Sequence, residues 1–165
     1  RLRSVMAADF APAMVSLCAQ KVRRAGLTPR VLPTVADALS LPFDDQTFDA
    51  VTLTFGVRNL ASPRRGLTEA WRVLRPEGLL GLLEFLRPEP GLGSTVGTFY
   101  RRRLLPVLAS LLGGDRSAYT YLPSTIDRFL SRVEMSGLLE DLGFQVLEVT
   151  PQTLGIVTRV VARRT

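Results

Sequence analysis

The sequence predicts an α/β fold with a mostly parallel sheet, and three observations carry that expectation. Short runs rich in Val and Leu alternate with longer stretches of helical periodicity. Phe48–Phe55 and Leu79–Leu86 are apolar almost throughout, as strands covered on both faces are. Proline, serine and glycine also fall where the helices should start and stop. At 165 residues, 46% hydrophobic and 22% charged, the chain is expected to be a single domain with a real core.

Taken in order, Ser4 to Ala8 reads as a strand ending at Asp9. Pro12 opens a helix through Arg24 that Gly26 closes, with Met14, Leu17, Cys18 and Val22 on one face. Arg30 to Val35 is a second strand and Phe48 to Phe55 a third. Ser62-Pro63 is a cap and first-turn pair for a helix through Leu74, stopped before Pro76-Glu77-Gly78. Leu79 to Leu86 forms the next strand, followed by a Pro- and Gly-bearing connection from Arg87 to Gly97. A helical insert is expected over about residues 94–128, its helix running from Thr98 to Leu112. The last helix spans Ser131 to Leu142 and ends at Gly143. Gln145 to Thr150 and Leu154 to Ala162 close the fold as an antiparallel pair around Pro151.

Composition excludes several chemistries. The chain has no histidine, which removes Ser-His-Asp and Cys-His nucleophiles, HExxH zinc sites and any imidazole base; no metal is expected. Cys18 is the single cysteine, so internal disulfides and CxxC redox chemistry are out and a cytoplasmic setting is expected. No apolar run approaches the roughly 18 residues of a spanning helix, and no charged-then-apolar leader is legible. The net charge of +6 raises nucleic acid as a partner. The arginines are scattered, however, Lys21 is the only lysine, and no basic stripe is interleaved with aromatics, so no nucleic acid is expected.

In open α/β sheets ligands bind beyond the carboxyl ends of the strands. Asp9 follows the first strand and suits the two hydroxyls of a ribose; it equally suits a helix N-cap before Pro12. Asp37 follows the second, where it can accept from an adenine amino group while Ala38 offers its backbone amide. Alternatively Asp37 is a turn residue, with Leu41-Pro42-Phe43 a packing plug. After the third strand comes Thr54-Phe55-Gly56-Val57-Arg58-Asn59: Gly56 permits a close backbone approach, and Arg58-Asn59 place a cation beside an amide. The other reading of that pair is a salt bridge and a turn.

The blocks ADFAPAM, ADALSLPFDDQTFD, LTFGVRN, EAWRVLRPEGLLGLLEF and AYTYLPSTI, with the late GIV, resemble the ubiquinone/menaquinone biosynthesis C-methyltransferases from about Val5 to Ala162. The resemblance implies a Rossmann-like class I S-adenosylmethionine-dependent methyltransferase acting on the ring of a prenylated quinol, of the demethylmenaquinol-to-menaquinol type. It assigns cofactor contacts to Asp9, Asp37, Ala38 and Thr54, and it turns Arg58 and Asn59 toward the acceptor ring as the catalytic pair. Tyr100, Tyr119 and Tyr121 would bind substrate, helping to form the quinol pocket. The family's first strand and glycine-rich loop have no counterpart in this sequence, so the chain is expected to be amino-terminally incomplete.

Two alternatives stay open: a methyltransferase for another small hydrophobic acceptor, and a truncated non-catalytic remnant acting by lipid or protein binding. Residues 99–108 couple Arg101-Arg102-Arg103 to apolar neighbours and suit either peripheral contact with an anionic membrane or a helix with a solvated basic end. A homo-oligomer is compatible with the sequence.

Overall fold

The computed structural model describes residues 4–87, 126, 128–155 and 157–165. All of the helical insert but residues 126 and 128, with its three tyrosines and the basic stretch at 101–103, lies outside the described residues. The chain forms two compact units, one up to Asp44 and one from Asp45 onward.

In the first unit β1 (Val5–Asp9) and β2 (Val31–Val35) pair in parallel, from Val5 opposite Val31 to Asp9 opposite Val35. The connection is α1 (Pro12–Arg24). Proline at its first position lacks the N–H that a helix start leaves unbonded anyway, and Lys21, Arg23 and Arg24 complement the dipole at its end. Gly26 stops it as expected: φ is +66° there, while its N–H and that of Leu27 donate back to Arg23 and Val22. Of the anticipated apolar face only Val22 is buried, whereas Met14 is 53% and Leu17 42% exposed.

The second unit holds a four-stranded sheet in the order β3-β4-β6-β5, with β3 Phe48–Thr54, β4 Leu74–Glu84, β5 Phe144–Gln152 and β6 Val157–Arg164. β3 and β4 are parallel, and β6 runs antiparallel to both its neighbours, so three strands share a direction and one is reversed. Among the described residues of this unit the longer α-helices are α2 (Pro63–Val73) and α3 (Arg132–Asp141). Their inner faces bring Leu67, Ala70 and Leu139 against Leu80, Leu82 and Val160 of the sheet, all essentially without exposed surface.

Two boundaries differ from expectation. Strand β4 starts at Leu74, not Leu79, because Leu74 pairs with Phe48 before an irregularity that absorbs Pro76-Glu77-Gly78. Glycine is required there: a Cβ on Gly78 would lie 2.8 Å from the Arg75 carbonyl and 3.2 Å from that of Asp49. The closing hairpin reverses at Thr153–Gly155, not at Pro151, which is paired with Thr158.

Helix α3 opens with a reciprocal cap. Glu134 N–H donates to the Ser131 hydroxyl at 3.3 Å, and Ser131 N–H donates to the Glu134 carboxylate at 2.7 Å. Ser131→Ala is expected to cost about 1 kcal/mol. The Ser131 N–H first, and the Arg87 guanidinium after it, hold the Glu134 carboxyl below its ordinary value. Its contribution is therefore present above the ordinary carboxylate range and is lost as pH falls through the lowered value. Glu134→Gln should flatten that acid limb in melts taken across pH, and an unchanged limb would refute the assignment.

Candidate functional site

The carboxyl end of the first unit carries two aspartates. Asp9 ends β1, and its Oδ1 accepts from Ala11 N–H at 2.8 Å. The cap position of α1 is Ala11, so Asp9 braces the residue before the helix instead of capping the helix itself. Ala36 N–H donates to the Asp9 carbonyl at 3.0 Å, which carries the β1–β2 pairing one step past Val35. Asp37 follows directly and is a turn residue: Oδ1 accepts from Leu39 N–H at 2.8 Å, and its carbonyl accepts from Ser40 N–H at 3.0 Å. In both side chains one oxygen is used locally and the other has no partner among the described residues. Both side chains are exposed at the carboxyl ends of a parallel pair, the end at which open α/β sheets bind ligands, and Ala38 lies in the Asp37–Ser40 turn.

In the second unit Thr54 ends β3 opposite Leu83, and the chain turns through Phe55 and Gly56 into a single 3-10 turn, Val57–Asn59. Gly56 has an ordinary φ of −111°; the left-handed residue is Phe55, at +54°. An aromatic residue in that conformation costs about 1–3 kcal/mol and must be held by its surroundings. Its N–H donates to the Leu83 carbonyl at 2.8 Å, and its carbonyl accepts from Arg58 Nη1 at 3.1 Å and Asn59 Nδ2 at 3.3 Å. Its ring stacks on Phe85, with centroids 4.8 Å apart.

Arg58 is not solvated. Its side chain is 10% exposed, and Nη1 meets the Glu84 carboxylate, itself 2% exposed, at 2.5 Å. The salt-bridge-and-turn reading of Arg58-Asn59 thus describes the local structure. Nothing in the spacing identifies Glu84 as the partner, since it lies 26 residues away. Phe55, Glu84 and Phe85 are the site residues that sequence reasoning missed. The one available signal was the position of Glu84-Phe85 at the end of an apolar strand.

Beside this turn opens a cavity of about 400 Å³ lined by Phe55, Leu83, Gln152, Thr153, Val157 and Arg159. Thr54, Leu83, Arg159 and Thr150 form one row across the four strands. Arg159 is paired to Glu148 at 2.5 Å, and the Thr150 hydroxyl donates to the same carboxylate. The hydroxyl first, then the guanidinium, hold the Glu148 carboxyl below its ordinary value. The wall is thus apolar on the Phe55 side and charged on the hairpin side. Among the described residues no cluster of three or more metal-ligating side chains occurs, and no helix is long and apolar enough to cross a membrane.

The fold is that of the S-adenosylmethionine-dependent methyltransferases. An Aquifex aeolicus structure of that description matches 98% of this chain and 69% of its own, with a TM-score of 0.68 at 22% identity. The [4+2]-cyclase SpnF matches equally broadly, with a TM-score of 0.72 at 18% identity, so the fold alone does not decide the reaction. The chain belongs to the ubiE/COQ5 methyltransferase family, which matches residues 2–164. A demethylmenaquinone methyltransferase of Thermus thermophilus is 42% identical over 86% of this chain and 64% of its own length. The ubiquinone/menaquinone biosynthesis C-methyltransferase UbiE of Geobacter sulfurreducens is 37% identical over 94% and 60%. The chain therefore spans less than two thirds of the length of these curated relatives.

Proposed function

We propose that the chain carries out S-adenosylmethionine-dependent C-methylation of a prenylated quinol ring, of the demethylmenaquinol type. The observation that carries this reading is the pair of outward carboxylate oxygens of Asp9 and Asp37, within a chain of the ubiE/COQ5 family. When bound, S-adenosylmethionine supplies an electrophilic methyl on a cationic sulfur that departs neutral, so the reaction needs little acid-base help and no histidine.

Asp9 accepts from the ribose hydroxyls, Asp37 from the adenine amino group, and the Ala38 amide donates to the adenine ring; Thr54 adds a contact at the end of β3. Arg58 and Asn59 face the acceptor. The Nη2 of Arg58 makes no hydrogen bond among the described residues and is the donor left for a developing phenolate, which makes the adjacent ring carbon nucleophilic. Phe55 offers its ring to the acceptor as a flat apolar wall. Tyr100, Tyr119 and Tyr121 complete the quinol pocket. We place the chain in the cytoplasm, in peripheral contact with the membrane that holds its lipophilic substrate and without nucleic acid as a partner; a homo-oligomer fits the same reading.

Titration calorimetry with S-adenosylmethionine tests the nucleoside site. Binding is expected, and Asp9→Asn or Asp37→Asn should each weaken it about tenfold or more. Asparagine keeps the local turn bond through its oxygen but presents an NH2 where an acceptor is needed. Equal affinity in both variants would remove the proposed contacts, and no binding by the parent chain would leave the non-catalytic reading.

A further inference from the structure

We propose that Glu84 is the positioning residue of the acceptor site, acting through Arg58 and the Phe55 turn; the inference rests on the reading above that Arg58 meets the acceptor. The Glu84 carboxylate takes three donors. Arg58 Nη1 lies at 2.5 Å, Arg58 N–H at 3.2 Å and Phe85 N–H at 2.8 Å. One buried anion therefore fixes both the guanidinium and the backbone that carries it, and joins the end of β3 to the end of β4.

The form of the contact is informative. A guanidinium and a carboxylate meet most favourably as a side-by-side pair of parallel hydrogen bonds. Here the carboxylate grips the side chain by Nη1 alone. The same Nη1 also donates to the Phe55 carbonyl at 3.1 Å, and the buried Nε–H has no partner among the described residues. An unsatisfied buried donor is a cost, so stability alone does not select this geometry. The Phe85 ring lies under the guanidinium, 5.1 Å from its carbon, and limits rotation out of the grip. Nη2 is the nitrogen this arrangement reserves. Because Nη1 bridges Glu84 to Phe55, the carboxylate also holds Phe55 in its left-handed conformation and so sets the wall of the cavity.

The test has two arms. In nitrogen-15 spectra of the chain, the Arg58 Nε–H resonance, assigned by its loss in Arg58→Lys, should exchange slowly with water. Glu84→Gln should speed that exchange about tenfold or more, and Glu84→Asp, which keeps the charge, should fall between. The Nε–H of Arg164, buried and likewise without a partner among the described residues, is the internal control and should not change. In methyl transfer from S-adenosylmethionine to demethylmenaquinol, Glu84→Gln should lower kcat about 10–100-fold. KM for S-adenosylmethionine should stay within about twofold, and Glu84→Gln should lose nothing further in an Arg58→Gln background. Equal acceleration at Arg58 and Arg164 would overturn the proposal in favour of general destabilisation, as would a kcat loss undiminished in the Arg58→Gln background. If the parent chain transfers no methyl group, the functional reading fails, and the exchange arm alone then decides whether Glu84 positions Arg58.

Discussion

Arg58→Ala is expected to lower the unfolding free energy by about 3–5 kcal/mol, a large share of the roughly 5–15 kcal/mol that holds a domain together. The loss comes less from the missing cation than from what stays behind. Glu84 is 1% exposed as a residue and would be left with only two backbone donors. A double variant, Arg58→Met with Glu84→Gln, should recover much of the loss because it buries no unpaired charge. Urea titration of the parent, the single and the double variant checks this. A double variant as unstable as Arg58→Ala would mean the ion pair is not the source of the effect. Turnover measured in Arg58→Ala alone therefore mixes chemistry with folding, and the conservative variants are the ones to use for mechanism.

Arg164→Met should cost about 3 kcal/mol, by a different route. The guanidinium of Arg164 lies over the Trp71 ring, 3.6 Å from its centroid. Its Nη1 donates to the carbonyls of Trp71 at 3.0 Å and Arg72 at 3.2 Å, and also to that of Leu74. The first two are carbonyls of the last turn of α2, which the helix itself cannot satisfy, and the third belongs to the first residue of β4; a cation there also meets the negative end of the helix dipole. Methionine would fill part of the space and supply no donor. Trp71 is the only tryptophan, so its fluorescence reports both the lost stacking and the unfolding transition. A midpoint in urea unchanged from the parent would show that the helix end is satisfied without Arg164.

The elements were legible where their signals are local. Pro12, Gly26, Ser62-Pro63 and Gly143 mark helix ends by backbone chemistry that needs no tertiary partner, and all four helix boundaries fall within a residue or two of expectation. The placement of Asp9 and Asp37 after the strands was legible for the same reason, since a strand end followed by an aspartate is a pattern within a few residues. What failed to show depends on distance along the chain. Leu74 finds Phe48 across a turn that looks like a terminator, Arg164 reaches Trp71 93 residues away, and Arg58 reaches Glu84 across 26. Gly56 drew attention as the flexible position, yet Phe55 takes the left-handed conformation. Its carbonyl is held by Arg58 and Asn59, and no local propensity reports such tertiary contacts.

The packed cluster of apolar side chains begins at Val51 and lies wholly in the second unit, as does Trp71. The first unit buries little beyond Val22 and Ala36 and leaves Phe10 74% exposed. Heat capacity and intrinsic emission therefore follow the larger unit, which holds Arg58 and Glu84. They say little about the smaller unit, which holds Asp9 and Asp37, so binding at those two aspartates is better read by titration than by a thermal shift.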